Sequence, residues 1–220
     1  MNKIYRLAIG AILLGITVES HASLVSNDLL GSGDGLLTYD SDTKLSWLDL
    51  TATVGQSYNQ IMAGFGGYTS NQGFRYATEN EVAELFSDAG VSQTSWVWGY
   101  WNYNNPGYVA NSTLVSLLGI TYPFDGLSTY SIGLTGSNTF GTQDSHDYAM
   151  VGYNNHADYI ASLAIGTLEN STNSSNVGSF LVKDVSNVPI PGAAWLFGSV
   201  LVGLVSFSRR KALVPAHTKE

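Results

Sequence analysis

The sequence predicts an α+β fold: small antiparallel sheets with one or two short helices, followed by a C-terminal transmembrane helix. Three observations predict it. Short runs such as Leu36–Tyr39, Lys44–Leu48 and Gly178–Val185 read as strands, set off by Gly, Asn, Asp and Ser clusters that form turns. Thr78-Glu79-Asn80-Glu81 is a capping box, and Val82, Leu85 and Phe86 continue it as the i, i+3, i+4 stripe of an amphipathic helix. Ile190 to Phe207 is an eighteen-residue stretch without charge, in which only Ser199 and Ser206 carry polar side chains. A bilayer core takes about 20 apolar residues as a helix.

The N-terminus comes first. Lys3 and Arg6 precede an apolar stretch from Leu7 to Val18, and Ser20-His21-Ala22 places small residues three and one before a cut after Ala22. This is the layout of a secretory signal peptide, too short to span a membrane. The expected organisation is a signal peptide over 1–22, an exported globular domain over 23–187, a sorting segment with its helix over 188–211, and a cytoplasmic tail over 212–220.

Once the two terminal segments are set aside, three cations remain, Lys44, Arg75 and Lys183, against fifteen carboxylates, a net charge of −12. Such a domain repels nucleic acid, whose phosphates need cationic partners. It is suited to attract divalent cations or simply to resist aggregation. There is no cysteine. An exported domain without disulfides must be held by its core, which a chain of this length can bury.

Within the exported region, Ser23–Gly35 reads as an edge strand or arm, and Leu36–Tyr39 and Lys44–Leu48 as strands around an Asp40–Thr43 turn. Ser57–Ala63 is a short helix stopped by Gly64-Phe65-Gly66-Gly67, and Phe74–Tyr76 a short strand. Gly90 ends the capped helix. Trp96 to Tyr108 mixes aromatic side chains with Asn and Gly and reads as a flexible loop. Leu114–Ile120 fits a helical turn or a strand, and Tyr159–Ile165 is ambiguous. Ser131–Leu134 and Tyr148–Tyr153 read as strands, Asn170–Asn176 as a flexible loop, and Gly178–Val185 as the closing strand. No repeat is visible at a period of 20 to 50 residues.

The tail has a further layer. Pro189 and Pro191 bar the helix from extending backwards. Arg209, Arg210 and Lys211 stop it on the cytoplasmic side. A buried core helix is the alternative, and an all-round apolar face followed at once by three cations argues against it. The stretch Val188-Pro189-Ile190-Pro191-Gly192-Ala193-Ala194-Trp195-Leu196-Phe197-Gly198-Ser199, with its basic end, resembles the PEP-CTERM sorting signal of Gram-negative bacteria in a Val-Pro-x-Pro variant. Ile190 stands where the founding motif has Glu. The resemblance implies signal peptidase and an exosortase-type membrane protease as processing partners, the latter removing the helix near Pro189 to Pro191. It also implies export through the inner membrane, transient anchoring, and a final place on the outer surface or in an exopolysaccharide-rich biofilm matrix.

The exported region also resembles a bacterial C-type-lectin-like family of secreted domains. The residues that carry this are Asp40, Thr43, Leu45 and Trp47; Gly73, Phe74, Arg75, Thr78 and Glu81; and Gly178, Phe180, Leu181, Val182 and Lys183. The resemblance implies that the strands near the two ends share one small sheet with one or two helices against it. The disulfides and the sugar–calcium signature of the animal relatives are absent, so lectin activity does not follow. The related formylglycine-generating enzymes need cysteine, which this chain lacks.

Candidate chemistry is sparse, and each candidate has a structural alternative. Trp98, Trp101 and Asn102 form the candidate ligand surface, since the flat faces of Trp and Tyr suit sugar rings and Asn side chains bond hydroxyls. Packing within the core or the loop is the alternative. Trp47 reads as core, and Arg75 as a structural ion pair or a ligand contact. Asp34, Asp40 and Asp42 offer oxygen ligands for calcium, but no calcium-loop pattern is present and a solvated turn is the alternative. His146 with Asp144 and Asp147, and His156 with Asp158, are at spacings that fit no zinc motif. Ser145-His146-Asp147 is contiguous, and no Gly-x-Ser-x-Gly elbow exists. The expectation is therefore a non-enzymatic surface or matrix protein with no metal or catalytic site and no cofactor. A carbohydrate-binding module for exopolysaccharide is the second reading and an enzyme the third.

Overall fold

The structure, a computed structural model, describes residues 24–139, 141 and 143–185. The Ala22 cut, the sorting motif Val188 to Pro191 and the Arg209 to Lys211 stop lie outside the described residues. Among the described residues no helix is long and apolar enough to cross a membrane.

The described chain is an α+β fold with two antiparallel sheets. The first contains β1 (Leu24–Asn27), β2 (Leu37–Asp40), β3 (Leu45–Leu48), β4 (Arg75–Tyr76) and, from the far end of the chain, β11 (Leu181–Asp184), in the order β1-β2-β3-β11-β4. The second contains β5 (Thr94–Val97), β6 (Tyr122–Phe124), β7 (Ser128–Leu134), β8 (Ser145–Asn154), β9 (Tyr159–Glu169) and β10 (Gly178–Ser179). Its order is β10-β7-β8-β9-β5. On the β7 edge away from β8, β6 takes the first half and β10 the last two residues. The β10–β7 pair is parallel.

The expected closing strand over 178–185 is thus divided between the two sheets. Gly178 and Ser179 pair with Gly133 and Leu134, whereas Val182 pairs with both Trp47 and Arg75. Phe180 stands between. Its N–H donates to the Leu134 carbonyl and its own carbonyl accepts from the Ala77 N–H, each at 2.8 Å. Alternation does not reveal this split, because Gly178 to Val182 are all buried and the two halves are assigned to their sheets by strands far away in the chain. β3 shows the same effect, all four of its residues being buried.

Four α-helices lie among the described residues, two more than expected, with short 3-10 turns at Leu50–Thr53 and Phe65–Gly67. α1 (Tyr58–Met62) is closed by a Ser57–Gln60 capping box, and α2 (Tyr68–Asn71) is a single turn beyond it. α3 (Glu79–Asp88) carries the expected box: the Thr78 Oγ accepts from the Glu81 N–H and a Glu81 carboxylate oxygen accepts from the Thr78 N–H. Its stripe Val82, Leu85 and Phe86 is wholly buried, and Gly90 takes a positive φ just past its end. α4 (Pro106–Leu118) replaces the expected loop end and the ambiguous turn at Leu114. Its start was written in the sequence as Asn105 capping Gly107 and Pro106 at the first helical position.

The two sheets and two of the helices share one core. Leu45 and Trp47 of β3, Val182 of β11, Ala149 and Val151 of β8, and Ala161 of β9 pack with the stripes of α3 and α4. α4 contributes Leu114, Val115 and Leu118. A second apolar cluster lies on the other faces, around Leu37, Leu48, Tyr76, Leu134 and Leu181.

The Asn170–Asn176 loop is anchored, contrary to expectation. Asn170 accepts the Asn59 N–H through its carbonyl and donates its own N–H to Asp144, and Ser174 accepts the Gly55 N–H. The Asn173 amide donates to the Gly55 carbonyl.

Candidate functional site: an aromatic loop and its supports

The aromatic segment is a short strand, a tight loop and the first turn of a helix. β5 ends at Val97 and α4 begins at Pro106, so residues 98–105 must reverse direction in eight residues. They do so with Tyr100 at φ 44° and Trp101 at φ 70°, both in the left-handed region. That region is costly for a side-chain-bearing residue, and such strain persists only where the surroundings enforce it.

The surroundings here are the turn between β8 and β9. Asp158, almost wholly buried, accepts the Gly99 N–H at 2.6 Å and the Asn154 side-chain amide at 3.0 Å. The Trp101 N–H donates to the His156 carbonyl at 2.7 Å, and the Tyr103 hydroxyl donates to the Asn155 carbonyl at 2.5 Å. Gly99 packs so closely on this turn that a Cβ there would sit 1.9 Å from the Ala157 carbonyl oxygen. The segment is therefore pinned rather than flexible, which corrects the expectation. Sequence reasoning missed Asp158 as its clamp, because fifty-nine residues separate it from Gly99.

What the pinned loop presents is aromatic surface. Trp98, Tyr100 and Trp101 are 62%, 76% and 60% exposed, and Asn102 is exposed beside them. Trp98 lies 6.1 Å from Trp96 and 6.2 Å from Tyr100, nearly parallel to the latter; Trp101 lies 4.6 Å from His156. Tyr103, Tyr108 and Tyr153 continue edge-to-face towards the core. The cluster therefore has a packed inner end and an open outer end.

The other candidates fall elsewhere. Trp47 is core, in edge-to-face contact with Phe180 at 6.4 Å. Arg75 forms a bidentate pair with Glu81 at 2.6 and 2.8 Å, tying β4 to the start of α3. That hydrogen-bonded pair holds the Glu81 carboxyl down at about 2 and raises Arg75. Asp34 and Asp40 lie at opposite ends of β2 with their oxygens engaged. Asp34 accepts the N–H groups of Leu29, Leu30, Gly31 and Leu36, which hold it well below the usual carboxylate range. Asp40 accepts the Asp42 N–H and the Thr43 hydroxyl. His146 stacks on Tyr58 at 3.8 Å near the start of β8, and His156 follows the other end of that ten-residue strand. The two histidines therefore do not meet. Among the described residues no group of three or more His, Asp or Glu side chains is arranged to hold a metal ion.

Asp42, Glu81, Glu84, Asp88 and Asp184 line a cavity of about 540 Å³ with Arg75. Asp88 ends α3, where a negative charge opposes the helix dipole. Burial, then the charge and hydrogen bond of Asp40, then Asp42 and Glu84, push its carboxyl up to about 6. The folded state thus favours the protonated form. The resulting stability is complete below the unfolded value of about 4 and is lost as pH rises through about 6. Asp88→Asn should raise the melting temperature relative to wild type at about pH 7.5 and converge with it at about pH 4. Thermal melts of both proteins at the two pH values check this, and an equal difference at both would contradict it.

The chain as a whole gives no match to a protein-family model, to a curated protein or to a solved structure. The class defined by the fold and site is an α+β domain that displays a braced aromatic loop.

Proposed function

We propose that this chain is an exported, non-enzymatic surface or biofilm-matrix protein of the PEP-CTERM type, sorted by an exosortase-type protease. In this reading its C-type-lectin-like domain binds a neutral glycan through Trp98, Trp101 and Asn102. The carrying observation is that Trp98 and Trp101 are about three-fifths exposed on a loop pinned by the buried Asp158. Leaving a large ring in water forgoes roughly 1.5–3 kcal/mol of burial, and the strained φ angles add to that cost. A pinned ring also loses little freedom on binding, which favours affinity. The lectin-like reading draws support from β3 of the N-terminal hairpin pairing with the closing β11, with the stripe of α3 in their shared core. The charge of −12 favours neutral over acidic saccharides.

The glycan reading is tested by tryptophan fluorescence. Emission should shift when the exopolysaccharide of the expressing cell is added. Trp101→Ala should abolish that shift while leaving the melting temperature within about 2 °C of wild type, since an exposed substitution alters stability by under about 0.5 kcal/mol. Unchanged emission in wild type sinks the binding role and leaves a structural surface protein. The sorting reading is tested by intact-mass analysis of cell-surface material. The species should lack Met1 to Ala22 and Ala193 to Glu220. A retained C-terminus would indicate a simple membrane anchor.

A further inference from the structure

The face of the second sheet that carries the second apolar cluster also carries, at its open part, a second row of rings that continues the loop. Ile132, Met150 and Ile160, from the neighbouring strands β7, β8 and β9, line an open groove of about 250 Å³. At one end stand Tyr122, Phe124 and Tyr130, and at the other Trp96. Phe124 lies 5.5 Å from Tyr122, and Tyr122 lies 6.0 Å from Tyr130 with the two planes only 27° apart. Trp96 joins the groove to the loop through Trp98.

The sheet is shaped to let one of these rings lie down. Tyr130 faces Gly152 across the β7–β8 pair, and a Cβ on Gly152 would sit 2.2 Å from the Tyr130 ring. The ring therefore leans across the β8 backbone, which only glycine permits. A reclining ring floors a groove, whereas an upright one would divide it.

We infer that groove and loop form a single track for an extended chain of neutral pyranose rings laid across the strands. This rests on the glycan reading and deepens it from a contact at one ring to an endo-type polysaccharide site. Length supports it: from β6 across to β5 there are four strand gaps, roughly 19 Å at about 4.8 Å each, several linked sugars rather than one. Charge supports it as well. No charged side chain lines the groove, so an acidic polymer would gain no partner there, inside a domain that already carries −12. Ring faces receive the apolar faces of sugars, and the tyrosine hydroxyls with Asn102 at the loop supply hydrogen bonds at the margins.

The test is calorimetric titration of the intact exported domain with the exopolysaccharide, cut by partial acid hydrolysis and sized into fragments of one to six sugars. Affinity should climb with length until the fragment spans the track. Phe124→Ala and Tyr122→Ala should weaken binding of the long fragments about three- to tenfold and leave that of single sugars unchanged. Phe124 is 47% exposed, so its replacement leaves the fold intact; thermal melts verify this, and Leu127→Ala, equally exposed but off the groove, serves as the control. Length-independent affinity overturns the track, and so do long fragments that bind Phe124→Ala as tightly as wild type. If Trp101→Ala still abolishes binding in that case, the loop acts alone and the glycan reading survives. Absence of binding by every fragment to wild type overturns both.

Discussion

Phe180→Ala should lower the free energy of unfolding by about 3–5 kcal/mol, the range for removing a buried aromatic ring from a packed core. The residue is 1% exposed and meets Trp47 edge-to-face, with the ring planes at 88°. It also stands where the chain leaves one sheet for the other, its N–H bonded to Leu134 and its carbonyl to Ala77. The cavity would open between the sheets, where neither can close it without breaking its own pairing. A domain of this size is stable by only about 5–15 kcal/mol, so the variant retains a fraction of the native margin. Denaturant titration with an unchanged m-value gives the number. A loss under about 1 kcal/mol would mean that the site collapses freely and that the ring is not what joins the sheets.

Leu85→Ala follows at about 2–5 kcal/mol. Leu85 is the middle of the α3 stripe and wholly buried, in the same cluster as Trp47, Leu114 and Val182. Its helix is fixed at its start by the Thr78–Glu81 box and the Arg75 pair, so it cannot readily shift to fill the space. A companion substitution separates packing from capping. Thr78→Ala removes one capping bond and should cost about 1 kcal/mol, well below the core deletion. If both variants melt like wild type, the stripe does not support the core.

Short-range features were legible from the sequence because their causes are short-range. The turn at Asp40–Thr43, the box at Thr78–Glu81, the stop at Gly90 and the stripe of α3 each depend on residues within a few positions, and each stands where it was expected. The N-terminal hairpin was legible too, whereas its pairing with the closing strand was expected only from the lectin-like resemblance. α4 was legible in principle from Asn105, Pro106 and Gly119, but the aromatic density before it obscured the start signal.

The candidate site was half legible. Composition marked Trp98, Trp101 and Asn102, but composition cannot say whether a tryptophan is core or surface: Trp47 and Trp101 have the same side chain and opposite surroundings. Tertiary structure decided that, by bringing the turn at Asn154–Asp158 under the loop and clamping Gly99. It also decided the anchoring of the Asn170 loop and the division of 178–184 between two sheets, both through partners far away in the chain. By itself the sequence determined the caps, the turns, the apolar stripe and the −12 charge, because each rests on neighbouring residues or on a sum over them. Only the tertiary structure decided which rings face water and what holds them there, because burial and clamping are set by residues that meet in space.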